Sequence, residues 1–343
     1  MAEKYNYRQK LKYTGNKNQL FSVKNYIFTD GRANNTRGID VINGGGLFMT
    51  IVPDRCMDIY RLIYKDTNIS YISASGLTHP AYYDNRGEEF LRGFFAGFLT
   101  TCGLETICAG SEDGEETLGL HGRIGNTPAD NFYTEIIEEN TKSGSPEIIV
   151  TGEMNQARLF GDKYSLLRKI KIYTNENKFE ISDVVKNTGF RKSPHMILYH
   201  LNYGYPFLDE NIEINIPSEE VIPVDDYAAE DIDKWHKFSK PQNGVNERCY
   251  YHKLKTDENN TAKYSLYNPE LKKGVRVEYG AETLDYFIQW KMSGEGDYVL
   301  GLEPGNAKGG GRKQNRNDGT LKFLEPGEEV RYNLTVTLSE DRH

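Results

Sequence analysis

Cysteine is scarce. Cys56, Cys102, Cys108 and Cys249 are spread over 343 residues and form no Cys-x-x-Cys pair, which excludes a disulfide-stapled scaffold and the common zinc and redox spacings. No apolar run approaches the ~18 residues of a membrane span. The amino-terminal stretch "MAEKYNYRQKLKYTGNKNQL" is polar and has no apolar segment of the kind that directs secretion. These absences make the cytoplasm the expected compartment. A block of basic residues is also missing: the formal net charge is −8 and the acidic residues are dispersed. That argues against nucleic acid and anionic membranes as partners. "AKGGGRKQ" lacks the Gly-Lys-Ser/Thr that ends a phosphate loop, and neither Gly-x-Ser-x-Gly nor His-Glu-x-x-His occurs.

What the chain has in quantity is β-forming sequence. Tyrosine numbers 24 and phenylalanine 15, ring types that suit strand faces and wet clefts. "GLFMTIVPDRCMDIYRLIY", "EIIVTGEM", "LLRKIKIYTNENKFEISDVVKNTG", "IEINIPSEEVIPV", "KGVRVEYG", "YFIQWKM", "YVLGLEPG" and "EEVRYNLTVTLSE" read as strands separated by turn residues. The best helical candidates are short, around Glu88–Phe95 and Ala228–Phe238. Many short strands with turn punctuation predict an all-β sandwich or barrel. An antiparallel sheet of that kind can leave one face polar and concave. The length alone leaves one large domain or two ordinary ones open.

Four stretches carry polar residues where a core strand has no use for them. In "GLHGRIGNTPAD", His121, Arg123 and Asn126 fall within six residues, and a strand there would turn His121 and Arg123 to one face. In "HMILYHLNYGYP", His200 and Asn202 share one face, while Tyr199, Leu201 and Tyr203 face a core. His195 points the other way and is read as structural. In "YVLGLEPGN", Glu303 closes an apolar strand before a Pro-Gly turn, where partial desolvation raises a carboxyl pKa toward general-base range. "VPDRCMDIY" offers Asp54, Arg55 and Asp58 at a strand end or bulge. Taken one at a time, a strand histidine is a hydrogen-bonded structural group, a glutamate before Pro-Gly is a turn residue, and Asp-Arg-x-x-Asp is a local ion pair. His121, His200 and Glu303 could also form a His₂Glu metal set, although their spacing does not favour it over acid–base work.

These residues resemble those of the aldose 1-epimerases (galactose mutarotases). "LYHLNYGYP" is similar to the family's histidine segment, "GLEPGN" to its late glutamate strand, and "FLEPGEEVRYNLTVTL" to its closing turn and strand. "PDRCMDI", "TTCGLET" and "LHGRIGNTPA" look closer still to a separate branch of mutarotase-like proteins. The likeness spans roughly residues 20–340. It implies a single domain over 1–343, an all-β supersandwich of the galactose mutarotase-like type, acting on a small-molecule sugar without cofactor or metal. It further implies His200 as general acid on the ring oxygen and Glu303 as general base on the anomeric hydroxyl, with His121 and Arg123 holding the sugar. Asn126, Asn202, Arg55 and Asp58 are the further candidate substrate contacts. Tyr203, Tyr205 or Trp235 are candidate stacking rings, and Asp231 or Asp233 a candidate substrate-binding aspartate. One departure stands out: the family's Asn-Arg pair precedes its first histidine, whereas Arg123 and Asn126 follow His121. The alternatives are a metal-dependent sugar isomerase or epimerase and a non-catalytic carbohydrate-binding protein.

Overall fold

The computed structural model describes residues 6–138 and 144–342, so the first five residues of the amino-terminal stretch lie outside the described residues. Three antiparallel sheets carry most of the chain. An eight-stranded sheet runs in the order Ala129–Ile137, Glu147–Ala157, Lys163–Tyr173, Lys178–Asn187, Glu329–Ser339, Lys273–Gly280, Thr261–Asn268 and Glu213–Asn215. A six-stranded sheet runs Ser218–Pro223, Arg248–Leu254, Tyr286–Ser293, Tyr298–Gly305, Met196–Tyr203 and Leu99–Leu104. A five-stranded meander covers Ser22 to Asn68. The expected turn in "YTNENKFE" joins two strands whose register pairs Ile172 with Phe179.

Alternation along these strands decides the layers. Ile170, Ile172, Phe179 and Ile181 of the large sheet pack in one apolar core with Tyr199, Leu201, Leu300 and Leu302 of the six-stranded sheet. Each such side chain contributes about 1.5–3 kcal/mol on burial. Met57, Ile59 and Leu62 bring the meander into the same core. One buried cation ties all three sheets. Arg168 donates to Asp183 and to Asp58, and its Nη2 also reaches the Thr101 hydroxyl 2.9 Å away. Tyr199 donates its hydroxyl hydrogen to Asp183 over 2.7 Å.

The two helical expectations shrink to short turns. Glu89–Arg92 forms one tight turn, and Asp226–Ala229 and Ile232–Lys234 divide the second. Among the described residues no helix is long and apolar enough to cross a membrane.

Candidate active site

The strand Met196–Tyr203 is buried along its whole length, so both of its faces are covered. Tyr199, Leu201 and Tyr203 enter the core. His200 points away from it. Register does the rest: Leu201 pairs with Leu302 and Leu198 with Gly305, which sets His200 directly opposite Glu303 on the neighbouring strand. Cross-strand partners share a face, and Nε2 of His200 lies 3.2 Å from Oε1 of Glu303. Neither that oxygen nor Nδ1 of His200 has a hydrogen-bond partner among the described residues, although both side chains are almost fully buried. Unpaired buried polar atoms are rare and costly. Both side chains line a cleft of about 820 Å³ that His121 also lines.

His121 reaches the cleft by a turn and not by a strand. Its φ is +59° and that of Gly122 is +70°, two consecutive left-handed residues that break strand alternation. The imidazole therefore swings inward while Arg123 diverges. The Cys108 backbone N–H donates to Nδ1 of His121 over 3.3 Å, which leaves the proton of the neutral ring on Nε2. The His121 and His200 rings meet edge to face at 5.5 Å. Phe90 and Phe94 pack on His121, and Phe94 and Trp290 on His200.

This setting moves every titration in the direction that favours the uncharged form. Burial pushes His121 down to about 4. Burial and the neighbouring His121 hold His200 well below the ordinary histidine value. Burial, aided by the Glu247 carboxylate, lifts Glu303 well above the usual carboxyl range. In the empty site, burial thus favours a neutral imidazole on His200 and a protonated carboxyl on Glu303.

Five expected substrate contacts lie elsewhere. Arg55 is fully buried and donates to the carbonyls of Gly125, Thr78 and Gly93. Asp58 is equally buried, accepting from Thr101 and Arg168. Asn202 donates to the carbonyls of Ala96 and His200, tying the loop that carries Phe94 to the sheet. Arg123 lines a separate pocket beside Glu105 and Gln156. Asn126 closes a tight turn whose backbone N–H donates to Arg123 and does not line the cleft.

The suggested stacking rings and aspartates are displaced too. Tyr203 is in the core with its hydroxyl on Tyr264, Tyr205 is exposed, and Trp235 packs on His252. Asp231 pairs with Lys234 and Arg248. Asp233 lies in the adjoining turn, outside the cleft. His195 is buried with Nε2 2.7 Å from the Tyr332 hydroxyl. The rings that do line the cleft are Phe94 and Trp290. Alternation in "YFIQWKM" does put Ile288 and Trp290 on one face, but nothing in that stretch says it is the face of His200. Among the described residues no group of three His, Cys, Asp or Glu side chains has the geometry to hold a metal ion.

Residues 33–338 match the family described as "Domain of unknown function (DUF4432)". No curated protein matches the sequence. Among solved structures, a proposed aldose 1-epimerase from Klebsiella pneumoniae subsp. pneumoniae superposes with a TM-score of 0.87 at 24% identity, covering 94% of this chain and 86% of that one. A galactose mutarotase-like protein from Clostridium acetobutylicum gives 0.66 at 15%, over 94% and 99% of the two chains. The galactose 1-epimerase of Lactobacillus acidophilus gives 0.62 at 13%, over 93% and 99%. At these identities the likeness establishes the galactose mutarotase-like fold.

Proposed function

The chain belongs to the DUF4432 family and has the galactose mutarotase-like fold, and from that premise we propose that it interconverts the anomers of a free sugar by acid–base opening of the ring. The observation that carries this reading is the His200–Glu303 pair, 3.2 Å apart on the wall of the cleft, with Nδ1 of one and Oε1 of the other lacking a hydrogen-bond partner among the described residues.

The closeness of the pair revises one expectation. An acid and a base flanking a sugar ring from opposite sides would stand about a ring's width apart, whereas His200 and Glu303 are in contact. The chemistry accommodates this, because the ring oxygen and the anomeric hydroxyl of a hemiacetal are bonded to the same carbon. In the form with imidazolium and carboxylate, His200 gives its proton to the ring oxygen as the C1–O5 bond breaks, and Glu303 takes the proton from O1 as the carbonyl forms. The products are the open-chain aldehyde, a neutral imidazole and a carboxylic acid. That last pair is the protonation state which burial favours. Rotation about C1–C2 and reversal of both transfers yield the other anomer. No redox step or covalent intermediate is involved. His121, with its proton on Nε2, is a fixed donor for a sugar oxygen, and Trp290 and Phe94 offer flat apolar faces to the ring.

The test is anomer exchange by saturation-transfer NMR over a panel of free sugars. Proton transfer of this kind contributes ~10²–10⁴-fold per group, so His200→Asn is expected to lose at least ~10² in rate. Treatment with a chelator is expected to leave the rate unchanged. A rate lost to the chelator and restored by zinc or manganese would move the assignment to a metal-dependent isomerase.

A further inference from the structure

Apart from the His200–Glu303 pair, the charged residues lining the cleft have one sign. Glu88, Glu112 and Glu247 line it, and among the described residues no lysine or arginine does. The cations nearest these carboxylates in sequence are already engaged: Arg86 with Asp84, Arg92 with Glu89, and Arg248 with Glu230 and Asp231. Glu88, in a turn, and Glu112, in the short strand Ser111–Asp113, are both exposed. Glu247 is fixed by the Trp290 indole, whose Nε1–H donates to it over 2.7 Å. These carboxylates line the same cleft as His200 and Glu303, which are only 4% and 2% exposed and each keep a side-chain atom without a hydrogen-bond partner among the described residues.

We infer that the cleft selects its sugar by charge, taking an amino sugar as its ammonium form in preference to the neutral parent and disfavouring uronic acids and sugar phosphates. A carboxylate or phosphate entering the cleft would meet three like charges with no cation to offset them, and like-charge juxtaposition is an effective device of rejection. An ammonium group meets the opposite field. This inference rests on the mutarotase reading for its turnover consequence only; its binding consequence stands apart.

The experiment therefore has two readouts, ligand binding by saturation-transfer difference NMR and anomer exchange. The probes are glucosamine, N-acetylglucosamine, glucose, glucuronic acid and glucose 6-phosphate, with the corresponding galacto series, at mildly acid pH where the amine is protonated. Results are taken as ratios to the neutral parent for each protein, so a general loss of activity cancels. An exposed ion pair is worth a factor of about five, and the amine is expected to bind better than its parent by roughly that factor. The preference should shrink toward unity in Glu247→Gln, which keeps an acceptor for Trp290, and at high salt. The N-acetyl sugar should behave as the neutral parent, and the two anions should bind at least about fivefold more weakly. Anions binding as well as glucose would overturn charge selection. So would an amine preference unmoved by salt and by Glu88→Gln, Glu112→Gln and Glu247→Gln, or binding of no sugar at all. The expected binding order without any exchange would support charge selection and overturn the mutarotase reading. Exchange without the binding order would do the reverse.

Discussion

Glu303 is held buried at a cost to stability. Its folded pKa is raised well above the usual carboxyl value, so its contribution to stability is fully present below about pH 4.5 and is lost as the pH rises toward the folded value. Glu303→Gln removes that linkage while keeping the shape. The variant is expected to melt at a higher temperature than the parent at neutral and alkaline pH, and the gap should close as the pH falls toward 4. Calorimetry across pH checks this, and a variant less stable at every pH would contradict it. The buried histidines act in the opposite direction. His121 and His252 are lowered to about 4 and His195 to about 3, chiefly by burial, so the stability they confer is present above about pH 6.5 and is lost as the pH falls through those values. His200 and Glu303 were legible in the sequence as chemistry-bearing residues on strands. Their contact was not, because two strands a hundred residues apart carry no record of their register. His121 was legible as a polar residue but not as a turn, since histidine seldom takes a positive φ. The Gly122 that follows it was the available signal.

At the level of the element, the strand Tyr298–Gly305 gives the carboxylate its room by leaving out a side chain. A Cβ placed on Gly301 would stand 2.6 Å from Oε1 of Glu303, 3.0 Å from the Trp290 ring and 3.2 Å from Cε1 of His200. Gly301→Ala must therefore displace the Glu303 carboxylate, whose free end can swing, while the backbone pairing to Trp290 and Asn202 persists. A misplacement near 1 Å can cost about 10²-fold in rate. The variant is expected to lose roughly that much kcat and still fold, as kinetics and near-ultraviolet circular dichroism would show; unchanged kcat would mean that the carboxylate needs no fixed position. Strand identities were largely readable from period-two alternation, and the runs around Lys163–Asn187 and Glu329–Ser339 form strands as expected. Faces were readable only where one side was plainly apolar. In "YFIQWKM" both sides carry large residues, so Trp290 went unnoticed as a wall of the cleft.

Across the whole molecule, the charged groups nearest the sheet centre serve architecture. Arg168 joins Asp58 of the meander to Asp183 of the large sheet and to Thr101 of the six-stranded one. Arg168→Met leaves two carboxylates buried without their cation, and breaking a buried pair in this way costs about 3–5 kcal/mol. Urea unfolding should show a loss of that order, and a loss below about 1 kcal/mol would contradict the account of the network. Arg55 and Asp58 illustrate why a sequence misleads here: a charged group that binds substrate and one that bolts sheets together are the same letters in the same β context. Only the closed core tells them apart. What the architecture delivers is a histidine and a glutamate in contact at the wall of a cleft. The most direct test is the rate of anomer exchange, by saturation-transfer NMR, for the parent and Glu303→Gln over the same sugar panel. The account predicts exchange well above the buffer rate for at least one sugar with the parent, and a loss of ~10² or more with the variant. Equal rates for the two proteins, or no sugar exchanged faster than in buffer, would contradict it.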